Sequence, residues 1–336
     1  VIRVQGDIRR SDAENSSPAR GLRSRSIGIA VASLPLVAAM AVSAPLASVN
    51  AAAATIVAPT YLRTIGTSGE STMYPSGDAV DASGNVYVAD TGNYQIEKYQ
   101  AGTTNLLWSV GVRGAPIGPA GSGNDSFTAP RDLATDGTYV YVADTDNADV
   151  QVLNASNGAF IENVKTFGSS QTFEDPIGIS VGHDGGTEEI LVSDGVSGNV
   201  YVFAFGSASA PIGSLLFAVP PTAKNEGTRD AATDSAGNIF TADYRGNKVD
   251  EYGPTDSTGA TPIMSFGGGT ATNCTDVAKP YGIDIDTADT PNRIYVASSN
   301  LEQIKVFDDS GNCLNVGTTG SNAIGTATKV STDPTE

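Results

Sequence analysis

Histidine is nearly missing from this chain: its 336 residues hold one, His183, beside two cysteines, one tryptophan and three methionines. Acid–base catalysis most often uses imidazole, so a site built from several histidines is excluded. No Gly-x-Ser-x-Gly elbow or cysteine–histidine pairing offers an activated nucleophile either. Cationic side chains are scarce as well. The chain has 19 Lys and Arg against 37 Asp and Glu, a net charge of −18. Residues 1–54 carry six arginines and three acids, which leaves 13 basic and 34 acidic groups beyond them, or −21. Such a surface repels a phosphate backbone, which needs clustered Lys and Arg to displace its counterions. Anionic membrane surfaces are disfavoured for the same reason. Cations, neutral glycans and basic protein patches remain as partners.

One long apolar run is present, at the start. Arg20, Arg23 and Arg25 precede the alanine-rich stretch Ile27–Leu46, and the small residues Ala47–Ala54 follow. Val49 and Ala51 suit the −3 and −1 positions of a signal peptidase site, and basic, apolar, then small is the secretory pattern. The competing reading is a membrane anchor, since about 20 apolar residues can span a bilayer. Pro35, Pro45 and the small-residue end favour cleavage. Residues 1–54 are therefore expected to be a signal peptide with its flanking basic region, and the mature chain to start near Ala51. The protein is expected outside the cytoplasm, secreted or on the cell surface, with no membrane insertion after cleavage.

Beyond that segment the chain repeats itself. Tyr74–Tyr99 recurs as Ala129–Leu153, Asp175–Phe203, Gly227–Tyr252 and Lys279–Phe307. The residues Pro75, Pro130, Pro176, Thr228 and Pro280 mark the register, at spacings of 55, 46, 52 and 52. Residues 55–336 thus divide into units of about 74–128, 129–174, 175–226, 227–278 and 279–332. A period of this size signals a propeller or solenoid assembled from one supersecondary unit.

Each unit reads as four short strands. A first strand follows the proline, and a turn such as Asp81-Ala-Ser-Gly84-Asn85 ends it, with Asp bonding backbone N–H groups and Gly supplying positive φ. The second strands, Val86–Ala89, Val140–Ala143, Ile190–Ser193, Ile239–Ala242 and Ile294–Ala297, are apolar on both faces. A strand of that kind is covered on both sides, as when blades pack face to face around an axis. The third strands, such as Gln95–Tyr99, alternate again. Fourth strands are expected at Leu106–Gly111, Ile161–Gly168, Ile212–Ala218, Ile263–Gly267 and Leu314–Gly317.

Pro75-x-Gly77, Val80-Asp81, Gly84-Asn85-Val-Tyr-Val-Ala-Asp90, Asn93 and Ile96 resemble the NHL-repeat pattern of six-bladed β-propellers, over roughly residues 60–334. The resemblance implies an all-β, six-bladed propeller of an exported bacterial type. Tyr61–Ile65 fits a fourth strand and Asp333-Pro334 the start of a sixth inner strand, so five complete blades and a partial sixth are expected, with the chain truncated at its C-terminus. A closed five-bladed ring is the alternative. Propeller enzymes of streptogramin-lyase and amidating-lyase type use several histidines, which this chain lacks. A lactonase-like enzyme with a divalent metal held by carboxylates remains the enzymatic alternative.

The candidate sites are few. Asp90, Asp144, Asp194 and Asp243 end second strands; each could ligate a cation, but Asp there readily caps its own loop. Asp144-Thr-Asp146-Asn147-Ala-Asp149 superficially suits Ca2+, yet lacks the glycine and terminal glutamate of the EF-hand loop. Cys274 and Cys313 are an even pair in an exported chain, so a disulfide is open if their Cα atoms come within roughly 7 Å. Arg131-Asp132 and Arg229-Asp230 stand at the entrances of inner strands two and four, with Tyr281 at that of strand five. Adjoining loops bring Tyr94, Tyr244 and Arg245. Arginines and aromatics on a rigid rim are what recognition surfaces favour, although Arg and Asp could equally pair between neighbouring blades. The sequence therefore points to a non-catalytic, monomeric module that binds a protein or carbohydrate ligand over the channel mouth.

Overall fold

Strands begin where the repeat predicts them. The computed structural model describes residues 75–111, 126–184, 187–221, 227–254, 261–268, 275–288, 291–301 and 303–314, and the backbone of four short strands nearer the chain ends. Five antiparallel sheets follow one another along the chain, each in simple up-and-down order. Blade one runs Gly77–Val80, Val86–Asp90, Gln95–Tyr99 and Leu106–Gly111. Blade two runs Pro130–Thr135, Tyr139–Asp144, Asp149–Asn154 and Phe160–Val164. Blades three and four repeat the scheme from Pro176–Asp184 to Ala210–Val219 and from Thr228–Thr233 to Met264–Gly267. Blade five has three strands among the described residues, Pro280–Asp286, Arg293–Ser298 and Gln303–Asp308, with a bridge from Phe307 to Cys313. Most of the fourth strand expected at Leu314–Gly317 lies outside the described residues. No helix among them is long and apolar enough to cross a membrane.

The core is not one mass but a series of slabs between blades, as the doubly apolar second strands require. Tyr87, Leu133, Val140 and Val142 fill the space between blades one and two. Tyr141, Val192 and Phe203 fill the next space, around the aromatic group Phe167, Phe173 and Tyr201. Blades three and four meet at Leu191, Val202 and Ile239, and blades four and five at Phe240, Val296 and Phe307. A further, smaller slab of Val86, Val88 and Tyr99 lies in blade one alone.

The innermost strands meet one another directly, and side chains there tie each blade to the next. Asp132 Oδ2 accepts a hydrogen bond from Ile179 N at 3.0 Å, and Asp230 Oδ2 accepts one from Ile283 N at 3.1 Å. Glycine stands opposite them because nothing larger fits. A Cβ at Gly77 would lie 2.6 Å from the Asp132 Cα, and one at Gly178 would lie 2.3 Å from the Arg229 carbonyl oxygen. Glycine in blades one and three and aspartate in blades two and four are therefore two halves of one contact.

Between blades five and one, short strands from both chain ends take the sixth position. Ala327–Thr332 runs beside the inner strands of blades five and one and pairs antiparallel with Ile2–Gly6; Ile29–Val31 pairs with Thr60–Arg63. The sixth inner strand thus precedes the place expected from Asp333-Pro334, which lies outside the described residues. Thr328, Val330 and Thr332 are β-branched and favour extended backbone, a signal the Asp-Pro match concealed.

Candidate functional site

In an up-and-down blade the start of strand one and the loop between strands two and three lie at the same end. All the candidate rim residues belong to these two segments, so they share one face of the ring. The loops there are shaped by the aspartates that close the second strands. Asp144 accepts hydrogen bonds from Ala129 N at 2.8 Å, Thr128 N at 3.0 Å, Asn147 Nδ2 at 2.5 Å and Gln151 Nε2 at 3.2 Å. Asp194 accepts from Glu174 N and Asp175 N on one oxygen and from Val196 N and Ser197 N on the other. Asp243 accepts from Arg245 N and Gly246 N. In blade five, where serine replaces the acid, Ser298 Oγ accepts from Ala278 N and donates to its carbonyl. Asp144 and Asp194 thereby latch the loop before strand one to the loop after strand two.

The Asp144–Asp149 segment is a 3-10 turn followed by a strand, and its acids are divided among different partners. Asp149 pairs with Lys165 at 3.2 Å and with Asn163 at 2.7 Å, while Asp146 is exposed. Among the described residues, no group of three or more His, Cys, Asp or Glu side chains is placed to hold a metal ion. Cys313 is disulfide-bonded; Cys274, the chain's other cysteine, lies outside the described residues. His183 pairs with Glu188 one residue before the end of the inner strand of blade three, at the far end from the rim.

The structure splits the eight rim candidates. Asp132 and Asp230 are buried and engaged between blades, so they are not on the rim surface. Tyr94 occupies a left-handed backbone position, φ 60°, that Ala148, Gly198 and Asn247 share in the next three blades. Arg229, Tyr244 and Tyr281 come together: the guanidinium lies 4.9 Å from the centre of the Tyr244 ring and 5.4 Å from that of Tyr281. The two rings meet edge to face at 5.7 Å. Arg131 holds the equivalent place in blade two, and Arg245 is exposed beside Tyr244. The Nε of Arg131 and that of Arg229 are each buried without a hydrogen-bond partner among the described residues.

Three neighbours were not legible as site residues. Lys279 Nζ lies over the Tyr244 ring at 5.1 Å. Asp175, just before the inner strand of blade three, feels the charge of both arginines. Burial pushes its carboxyl up, the charges of Arg229 and Arg131 pull it down, and Asp194 and Asp146 push it up again; the balance is above the usual range. Gly195 is the third. In blades one and two the equivalent residue is threonine, donating to the next blade's proline carbonyl: Thr91 to Pro130 at 2.5 Å and Thr145 to Pro176 at 2.7 Å. Gly195 lacks that hydroxyl, and there is no room for a side chain: a Cβ would stand 2.7 Å from Asp175 Oδ2 and 3.2 Å from Arg229 Nη1. The signal was the repeat column before the proline, which reads Tyr, Ala, Asp, Gly, Lys and carries charge only at Asp175 and Lys279.

Five radial antiparallel sheets joined by slabs of apolar side chains define a β-propeller. Residues 72–99 match the family model of the NHL repeat. No curated protein matches the sequence. Among solved structures, a chain from the crystal structure of a nidogen/laminin complex superimposes with a TM-score of 0.55 at 12% identity, over 79% of this chain and 86% of that one.

Proposed function

We propose that this protein is an exported recognition module whose protein ligand sits over the channel mouth, on the face that carries Arg131, Arg229, Tyr244 and Tyr281. The observation that carries the reading is the Arg229 cluster, a cation held between two aromatic rings on the rim of a rigid β scaffold. Arginine and tyrosine are the residues on which binding energy concentrates, and a rigid scaffold presents them at little conformational cost. The nidogen-containing neighbour is itself a propeller found in a complex with another protein, which is in keeping with a binding role. Export follows from the basic, apolar and small-residue order of residues 1–54.

Replacing Arg131 and Arg229 together by alanine tests the reading. Capture of the partner from a cell-surface extract should fall at least about tenfold, a loss typical of binding hot spots. The thermal midpoint should stay nearly unchanged, because the hydrogen bonds of Asp132 and Asp230 between blades remain in place. If the double variant unfolds early and the residual folded protein binds normally, the arginines are structural. Metal-dependent turnover of a lactone by the purified protein would instead make it an enzyme.

A further inference from the structure

We infer that the exported chain carries a strand-acceptor slot in its sixth blade, which takes an extended segment of a protein partner with apolar and basic residues in alternation. The inference rests on the export reading of residues 1–54 and concerns a place apart from the rim. In the full chain the slot is filled. From the axis outward the sixth position holds Ala327–Thr332, Ile2–Gly6, Ile29–Val31 and Thr60–Arg63. The second and third of these strands lie within the segment marked for removal. Cleavage near Ala51 therefore leaves the inner strand Ala327–Thr332 with an open edge, a template for another strand.

The repeat shows what lines the slot. Leu133, Ile179 and Ile283 pack against the blade before their own, and blade one has Asp78 at that place. Ala79, Ala134 and Ala232 pack against the blade after their own, and blade five has Asp284 there. Both acids thus face the sixth position. Glu97 adds a third: it is the counterpart of Tyr201, which faces the preceding blade, and it accepts a hydrogen bond from Tyr99 at 2.6 Å. Among these acids the wall of blade one is apolar. Val86, Val88 and Tyr99 form a buried cluster of their own, and the strands in the slot are what cover it.

An apolar wall bordered by carboxylates selects a strand that brings cations as well as apolar side chains, since a buried acid left unpaired is costly. The segment seated there has that pattern, Ile2-Arg3-Val4-Gln5, and the inner strand beside it brings Lys329. The two pair antiparallel, from Ile2 opposite Thr332 to Gln5 opposite Lys329. Main-chain hydrogen bonds give an added strand its affinity, and alternate side chains its specificity. A second copy fits poorly, because the processed body carries −21 and like charges repel.

The test uses protein collected after export, with its N-terminal sequence read first. A start at Val1 would remove the export reading and the inference together. The probe is acetyl-Val-Ile-Arg-Val-Gln-Gly-amide, the sequence of residues 1–6. It should raise the thermal midpoint of the processed protein and add hydrogen-exchange protection at residues 327–332. With glutamate in place of its arginine it should bind at least about tenfold more weakly. The same residues reordered as acetyl-Arg-Gln-Gly-Val-Ile-Val-amide lose the alternation and should not bind. Equal binding of the three peptides, or protection confined to the rim loops, would overturn the inference. If the protein is processed and ignores the probe, the inference falls and the export reading stands.

Discussion

Asp144 shows how one side chain can shape a rim loop and set a pH response. It is fully buried, and burial pushes its carboxyl up to about 6 against hydrogen bonds from Ala129, Thr128 and Asn147 that pull it down; Asp149 pushes it further up. A carboxyl raised above its unfolded value favours folding when protonated. Its contribution is complete below the ordinary aspartate value of 3.8 and is lost as pH rises through about 6. The difference is on the order of 2–3 kcal/mol. Asp149, Glu162, Asp175 and Glu251 are shifted the same way, each mainly by burial. Asp81 opposes them: burial raises it, but Asn85, Lys98 and Tyr87 together hold it low. Urea unfolding should therefore show stability increasing as pH is lowered from about 6 towards 4, and Asp144→Asn should flatten that slope. A second residue-scale outcome concerns Ala148, at φ 51°, where blade three has Gly198. Ala148→Gly should stabilise the protein by about 0.5–1 kcal/mol, because glycine adopts this left-handed position without a Cβ penalty. The capping role of Asp144 was readable from its place at a strand end. Its raised titration was not, because burial between blades is a property of the ring.

Among elements, the inner strands carry the information that distinguishes one blade from another. Gly77 and Gly178 face Asp132 and Asp230 of the following blade, too close for a side chain. Gly178→Ala should destabilise by about 1–3 kcal/mol, the range for overpacking a filled site. Chemical denaturation would show this as a lower midpoint at unchanged slope. The repeat made the strands and their order legible, since doubly apolar second strands and Asp-Gly turns recur at a fixed period. It also drew attention to Arg-Asp at two strand starts. The sequence could not show that the two residues part company, the arginine to the rim and the aspartate to the next blade's backbone. That division depends on which way each side chain leaves an inner strand that has another inner strand beside it. Gly195 escaped notice because a missing hydroxyl leaves no pattern, only a gap in one.

At the scale of the whole molecule, five blades form one ring and strands from both chain ends lie between the last and the first. Ala327–Thr332 pairs with Ile2–Gly6, within the segment the sequence marks for removal on export. A chain of residues 51–336 should therefore melt earlier than the full chain, because that strand loses its partner and exposes an edge. An unchanged midpoint would mean that blades one to five stand alone. The central claim is that the face bearing Arg229, Tyr244 and Tyr281 is the binding face. Hydrogen exchange of the protein with and without its captured partner tests it most directly. The account predicts added protection in the loops Thr91–Asn93, Thr145–Asn147 and residues 195–198 and 244–247. Protection confined to the opposite face, at residues 81–84 and 234–237, would contradict it.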